Sequence, residues 1–243
     1  MPDAIFDVPR LAAIYDALDP DRSDLDVYDA LVDELGATSV LDVGCGTGSF
    51  ACMLAKRGLD VVGVDPAAAS LDVAASKPHA KRVRWIHGDA TDLPPMAVDL
   101  ATMTGNVAQV FLGDDEWTST LLGIREALRP GGRLVFETRD PARRAWLGWN
   151  RGDTLRRTDI PGVGTVTTWY ELIDVSEPLV TFRSTNIFES DGAVLTSDST
   201  LRFRTRDEVE RSLDDAGYEL VEVRGAPDRP GKEFVFVAAR RAA

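Results

Sequence analysis

Cysteine and histidine are nearly missing from this chain, with two of each in 243 residues. Cys45 and Cys52 stand seven apart, in a glycine-rich turn and the helix expected after it, while His79 and His87 lie further on. Neither spacing offers a zinc site, a redox pair or a disulfide framework, so no metal is expected, and the cysteines read as small packing residues in a reducing compartment. Long apolar runs are also missing. Nothing approaches membrane-spanning length, and Met1-Pro2-Asp3-Ala4-Ile5-Phe6-Asp7 lacks a basic stretch leading into an apolar core. The expectation is a cytoplasmic protein with no membrane partner. Positive charge is scarce too: 27 Lys and Arg face 40 Asp and Glu, a net charge of −13. Proteins that grip nucleic acid neutralise phosphates with a basic face, so a nucleic-acid partner is disfavoured. One local run opposes that trend: Arg139, Arg143, Arg144, Arg151, Arg156 and Arg157. It reads either as a surface for an anionic substrate or partner, or as a solvated face that balances nearby acids. Repeats and low-complexity tracts are absent, and a 44% hydrophobic content builds an ordinary core in one domain carrying an insertion.

What is present starts with Val40-Leu41-Asp42-Val43-Gly44-Cys45-Gly46-Thr47-Gly48-Ser49. A short apolar strand runs through three alternate glycines into a helix expected to start near Thr47. Such a turn lets the main chain approach a ligand that a Cβ would block. Asp65 follows at the end of the next strand, where a carboxylate can accept hydrogen bonds from a ribose diol; its other role, capping the helix before Pro66, can coexist. Strands are predicted at 39–43, 60–64, 82–86, 98–103 and 133–138, with helices near 47–57, 67–76 and 115–128. That alternation implies right-handed crossovers and a doubly wound, mainly parallel α/β sheet. Two helices should precede it. The first opens at Asp7-Val8-Pro9 and carries Leu11, Ile14, Tyr15 and Leu18 on one face; the second, capped by Asp24, carries Leu25, Tyr28, Leu31, Val32 and Leu35 and ends at Gly36. After residue 139 the pattern changes. Segments 154–160, 164–175, 178–189 and 193–204 are rich in β-branched and aromatic residues and punctuated by Pro161-Gly162, Ser176-Glu177-Pro178 and Asp191-Gly192. They read as an inserted antiparallel sheet. A helix at 206–216 and strands at 218–224 and 233–239 close the main sheet. The domains expected are 1–138 (N-terminal helices and α/β core), 139–205 (insertion) and 206–243 (last helix and final hairpin).

Asp42-Val43-Gly44-Cys45-Gly46-Thr47-Gly48 resembles the first motif of class I S-adenosylmethionine-dependent methyltransferases. Later stretches resemble the same family in order: Asp65 its ribose-binding acid, His87-Gly88-Asp89-Ala90 its adenine-contacting segment, and Leu128-Arg129-Pro130-Gly131-Gly132-Arg133-Leu134 its turn into the fifth strand. The resemblance implies a seven-stranded Rossmann-like fold with its last strand antiparallel, and S-adenosyl-L-methionine as cofactor. Carried onto this chain, it implies cofactor contacts from Tyr15, Asp42, Gly44, Cys45, Gly46, Asp65, Pro66, Asp89, Ala90 and Thr104. Gly44 and Gly46 would lie under the methionine and ribose, with Gly48 letting the helix pack closely. Asp42 holds the methionine amino group or only braces the turn; Tyr15 covers the methionine end or belongs to the core. Acceptor contacts are expected from Asn106, Gln109, Arg139, Trp169 and Tyr170, and catalytic roles fall to Asn106 and Glu137. His87 reads as a polar contact near the adenine rather than a base.

The acceptor is narrowed by two absences. No Asn/Asp-Pro-Pro-aromatic run follows the fourth strand, where Thr104-Gly105-Asn106-Val107 stands, which argues against exocyclic amines of nucleic-acid bases. No cysteine follows it either, which excludes covalent pyrimidine C5 chemistry. The insertion resembles that of small-molecule methyltransferases, aminosugar N-methyltransferases among them, where such a sheet helps form the acceptor pocket or a dimer interface. The expected activity is transfer of a methyl group to nitrogen or oxygen of a small-molecule acceptor by in-line displacement. Its rivals are an RNA or protein methyltransferase, a non-catalytic cofactor-binding protein and a nicotinamide oxidoreductase.

Overall fold

The computed structural model describes residues 1–242. In chain order its helices and strands are α1 (Ala4–Asp7), α2 (Pro9–Ala12), α3 (Tyr15–Leu18), α4 (Asp26–Glu34), β1 (Ser39–Val43), α5 (Ser49–Arg57), β2 (Asp60–Asp65), α6 (Ala68–Ser76), β3 (Val83–His87), β4 (Val98–Met103), α7 (Asp114–Ala127), β5 (Leu128–Arg139), α8 (Arg151–Thr154), β6 (Arg156–Ile160), β7 (Gly164–Ser176), β8 (Leu179–Phe188), β9 (Ala193–Arg202), α9 (Arg206–Asp215), β10 (Tyr218–Gly225) and β11 (Glu233–Arg240). Seven strands form one sheet in the order β10-β11-β5-β4-β1-β2-β3. Pairing is parallel from β5 to β3, and β11 runs antiparallel to both its neighbours. The four inserted strands form a second, antiparallel sheet in the order β6-β7-β8-β9. The α/β fold class expected from the alternation of elements is the one observed.

Continuous apolar runs make the central strands two-sided. One face of the large sheet packs Leu41, Ala101, Met103, Phe136 and Phe236 against Trp117, Leu121 and Ile124 of α7 and Val209 and Leu213 of α9. Phe136 and Phe236, directly opposite in register, stack at 5.2 Å between centroids, worth about 1 kcal/mol beyond their buried area. The other face packs Val40, Val61, Leu100, Val135 and Val237 against Tyr28, Leu31 and Val32 of α4 and Phe50, Ala51 and Leu54 of α5. A smaller core joins Leu11 and Ile14 to Ile160, Val166 and Phe188 of the inserted sheet. The N-terminal turns thus tie the insertion to the rest of the molecule.

Four local expectations need correction. The first helix is three separate turns, because Val8, placed before Pro9, is driven into extended backbone, and the chain breaks again at Ala13-Ile14. Asp24 does not cap α4; it accepts from Arg22 while a 3-10 turn leads into the helix. Helix α5 begins at Ser49 rather than Thr47, since Gly44, Gly46 and Gly48 all hold positive φ and keep the chain out of helical geometry until then. Leu128-Arg129-Pro130-Gly131-Gly132 forms an irregularity inside β5 rather than a turn ahead of it: Leu128 already pairs with Val98 before the register shifts to Leu100 and Arg133.

Candidate active site

The chain winds from β1 outward through β2 and β3, then returns to place β4 on the other side of β1. In open parallel sheets the crevice outside the carboxyl ends at such a reversal is where ligands sit. The glycine turn leaves β1 at that point, held over β2 by the Gly44 and Cys45 amides, which donate to the Val64 carbonyl at 2.9 and 3.2 Å. The three glycines do different work. A Cβ on Gly48 would lie 2.5 Å from the Trp85 ring and 2.8 Å from Ala74, and one on Gly44 would lie 2.6 Å from Val107. Those two glycines admit protein side chains. Only at Gly46 is there nothing within 4 Å, so the open approach expected at both Gly44 and Gly46 falls to Gly46 alone.

The acids converge beside this turn. Asp65, buried at the end of β2, accepts from the Gly46 amide at 2.8 Å and the Ala67 amide at 2.8 Å. Its ends thus tie the glycine turn to the start of α6. Burial raises its pKa against the pull of those two amides. A carboxylate has about four acceptor sites, so each oxygen keeps capacity for a further donor. Asp42, near the end of β1, is 1% exposed. Its Oδ1 accepts from the Thr102 hydroxyl at 3.1 Å, whereas its Oδ2 has no partner. Burial pushes the Asp42 carboxyl up to about 7, with Asp65 and Glu137 adding repulsion.

Beyond β4 the chain passes through Thr104 and Gly105 to Asn106, which is buried with φ of 64°. The Asn106 amide donates to Glu137, but its side-chain Oδ1 has no partner. Glu137 also accepts from the Tyr28 hydroxyl, so each of its oxygens holds a donor. Burial pushes this carboxyl up to about 7 in spite of them. The folded protein therefore keeps the Glu137 proton across a window, from the ordinary 4.5 to about 7, where the unfolded chain has lost it. Stability from this site falls as pH rises through that window, by roughly 3 kcal/mol in all. Glu137→Gln, which cannot titrate, is expected to gain in Tm relative to the wild type between pH 5 and pH 8; a pH-independent difference would refute the assignment.

The remaining predicted residues are placed as follows. Tyr15 packs 5.4 Å from Phe6 and its hydroxyl is pushed up to about 12 by burial. Asp89 is exposed and accepts from the Thr91 amide at 2.8 Å, while Ala90 is buried under α7 at Gly123. Pro66 is exposed, and its carbonyl lies 3.1 Å from His87 Nε2. Cys45 is buried and unpaired, its thiol pushed up by burial. Gln109 is fully buried; its Oε1 accepts from Arg139 at 3.1 Å, and its Nε2 donates to the Arg202 carbonyl at 3.4 Å. Arg139 also faces Glu233 at 3.6 Å and lies over the Trp149 ring at 5.7 Å. Trp169 and Tyr170, expected to wall one pocket together, point to opposite faces of β7, as successive strand residues must. Trp169 lies on the opposite face of β7 from Tyr170, under Arg151 at 4.4 Å, and donates to Glu171.

Several participants escaped the sequence reading. Asp16 of α3 accepts from Thr47 at 2.6 Å and pairs with Lys77 at 2.6 Å, latching the N-terminal turns over the glycine turn. Trp85 fills the space that Gly48 and Gly63 leave; a glycine inside β2 was the available signal. Tyr28 looked like one more apolar-stripe residue, and nothing local marks its bond to Glu137. The arginine run does not converge. Arg143 pairs with Asp140, Arg157 with Glu189 and Arg139 with Glu233.

A profile of the methyltransferase domain family matches residues 40–132, which run from β1 to the Gly-Gly step in β5. An uncharacterized methyltransferase of Mycobacterium tuberculosis is 33% identical over 195 residues, 73% of this chain and 74% of its own. The cypemycin N-terminal methyltransferase of a Streptomyces species is 37% identical over 109 residues, so this chain spans 44% of that protein's length. Among solved structures, an S-adenosylmethionine-dependent methyltransferase from Clostridium acetobutylicum shares the fold with a TM-score of 0.76 at 16% identity, over 97% of this chain and 99% of its own. The residues present fit the cofactor of such enzymes, for a buried carboxylate oxygen without a partner and an open main-chain approach at Gly46 lie at the strand reversal. Sequence, fold and site therefore agree that this chain belongs to the class I S-adenosylmethionine-dependent methyltransferases.

Proposed function

We propose that the protein transfers the methyl group of S-adenosylmethionine to a nitrogen or oxygen of a small-molecule acceptor. The observation that carries this reading is the pair of buried, unpartnered oxygens at the reversal, Asp42 Oδ2 near the end of β1 and Asn106 Oδ1 in the loop after β4. An orphaned buried acceptor costs about 1–3 kcal/mol, so both are best explained by donors that a ligand brings. In this reading Asp42 takes the amino group of the cofactor and Asp65 its ribose hydroxyls, with Asp89 and Ala90 at the adenine. Gly44, Cys45, Gly46, Pro66 and Thr104 border it, and Tyr15 closes the side under the N-terminal turns. When bound, the cofactor supplies an electrophilic methyl group on a cationic sulfur.

The chain's own contribution is alignment and exclusion of water, which can account for most of the rate of an in-line displacement. Asn106 stands between cofactor and acceptor, and Glu137 sets its backbone from behind. Because both Glu137 oxygens already hold donors, we assign it to positioning rather than to proton abstraction. The insertion, residues 139–205, serves the acceptor, with Arg139, Gln109 and Tyr170 beside it. A small acceptor is favoured over RNA because the net charge is −13 and three arginines of the run, Arg139, Arg143 and Arg157, are each paired with a carboxylate. Methylation of a peptide amino terminus is the second reading, favoured only by the similarity to the cypemycin enzyme over 44% of each chain.

Calorimetry with S-adenosylhomocysteine and with NADH tests the cofactor side. The first is expected to bind and the second not. Asp65→Ala should weaken the first by roughly 1–3 kcal/mol, about five- to 150-fold; unchanged affinity would sink the ribose assignment. Incubation with methyl-tritiated cofactor and a fractionated bacterial extract tests the acceptor, and label confined to RNA or protein would overturn the small-molecule reading.

A further inference from the structure

Where the inserted sheet returns to the main fold, three consecutive residues face two ways. Phe203 is buried inside the insertion, 4.5 Å from the Trp146 ring and packed with Val180, and its amide donates to the Pro178 carbonyl at 2.8 Å. Arg202 and Arg204, on either side of it, reach the loop between β4 and α7 instead. Arg202 donates to the Leu112 carbonyl at 2.8 Å. Arg204 donates to the Gly113 carbonyl at 3.2 Å, with a longer reach to the Ala108 carbonyl at 3.5 Å. The Arg202 carbonyl in turn accepts from the Gln109 side chain at 3.4 Å. All of these contacts fall between Ala108 and Gly113, just past Asn106.

A buried guanidinium is a costly way to fill space, because its charge loses water. Arg204 is 4% exposed, and the one carboxylate within 4 Å of it among the described residues, Asp114 at 3.8 Å, is itself largely exposed. What this side chain offers that methionine or leucine would not is a planar fork of donors. The fork is set against carbonyls at the two ends of a loop that has no strand partner to satisfy them. The loop needs such holding at Asn106. Its φ of 64° is a left-handed conformation that a non-glycine residue keeps only when its surroundings enforce it. Glu137 enforces it from the β5 side through the Asn106 amide, and the Asn106 carbonyl accepts from the Gln109 amide at 3.0 Å. Gln109 is fixed in turn by Arg139 on one side and the Arg202 carbonyl on the other. We infer that Arg204, assisted by Arg202, is a positioning residue for methyl transfer, its fork holding the loop after β4 so that Asn106 presents its side-chain oxygen to the reactants. The insertion thereby sets the reaction geometry as well as serving the acceptor. This rests on the role given to Asn106 above and adds what holds that residue in place.

Hydrogen exchange on protein loaded with S-adenosylhomocysteine reads the loop directly. In Arg204→Met the amides of residues 107–110 are expected to exchange about ten-fold faster or more, while those of the glycine turn, residues 44–48, keep the wild-type rate. Arg183→Met, which removes an exposed arginine paired with Asp198 elsewhere in the insertion, should change neither segment. A side chain that only supports the fold predicts faster exchange in both segments alike; that result, or an unchanged loop, overturns the proposal. Arg204→Lys keeps the charge without the fork and serves should the methionine variant not fold; a fully protected loop in it would equally refute the role of the fork. Turnover is read with methyl-tritiated S-adenosylmethionine and the extract fraction that takes the label. Arg204→Met is expected to lower kcat about ten-fold or more, with KM for the cofactor within about two-fold of wild type. Asn106→Ala, run beside it, distinguishes two failures. Loss of turnover in Asn106→Ala with full turnover in Arg204→Met refutes the positioning role, whereas full turnover in both overturns the role of Asn106 beneath it.

Discussion

S-Adenosylhomocysteine affinity is expected to fall about tenfold for each pH unit below 7, and Asp42→Asn to remove that slope. The reasoning starts from burial. Asp42 is 1% exposed, its carboxyl is pushed up to about 7, and its Oδ2 has no partner among the described residues. An ammonium group brought to that oxygen interacts well only with the ionised form, so binding below pH 7 must first remove the Asp42 proton. One pKa unit is worth about 1.4 kcal/mol, or tenfold in affinity. Above pH 7 the buried charge pair is complete, and Asp42→Asn should cost about 2–5 kcal/mol there. Near pH 5 the wild-type side chain is itself neutral, so the two proteins should converge. Methylthioadenosine, which lacks the amino-acid tail, provides the control and should bind with no such slope. Isothermal titrations at pH 5, 6, 7 and 8 check each of these statements. A slope that persists in Asp42→Asn would place the titrating group elsewhere.

Gly123→Ala is expected to destabilise the protein by about 3 kcal/mol or more, although helix propensity alone predicts the reverse. In an exposed helix interior, alanine is better than glycine by about 1 kcal/mol. Gly123 lies in α7, where that preference should apply. A Cβ there would stand 1.9 Å from the Ala90 carbonyl oxygen and 2.8 Å from its carbon. Both are main-chain atoms, so no rotamer change relieves the overlap, and overpacking of this kind costs 1–3 kcal/mol or more beyond the propensity gained. Thermal unfolding should show a drop of roughly 10 °C at this chain length. Gly148→Ala, with no heavy atom within 4 Å of its Cβ, should stay within about 0.5 kcal/mol of wild type. Because Ala90 belongs to the segment expected at the adenine, the same variant should also weaken S-adenosylhomocysteine. A stable Gly123→Ala protein would mean that α7 does not approach Ala90 so closely.

The parts of this protein legible in one dimension are those that obey short-range rules. Five apolar runs separated by amphipathic stretches demanded a parallel sheet, and Asp191-Gly192 between two β-rich segments marked a hairpin that β8 and β9 form with Phe188 opposite Ala193. The glycine turn and Asp65 could be paired from spacing, and the Gly46 amide does meet Asp65 at 2.8 Å. The N-terminal helix was misjudged because its periodicity was right and its continuity was not. Leu11 and Ile14 do face one core, but Pro9 and the packing of that core onto the inserted sheet break the backbone into turns.

Chain order was enough to settle the class of fold, the glycine turn after the first strand and the acid that ends the second, because each depends on neighbours within one strand–helix–strand unit. The assembled molecule alone determined that Tyr28 reaches Glu137 from 109 residues away, that Trp169 turns its back on Tyr170, and that Asn186 is buried with one end unsatisfied. Hydrophobic period and turn chemistry are written residue by residue. Burial, and the pKa values and orphaned oxygens that follow from it, exist only once distant segments exclude water from the same space.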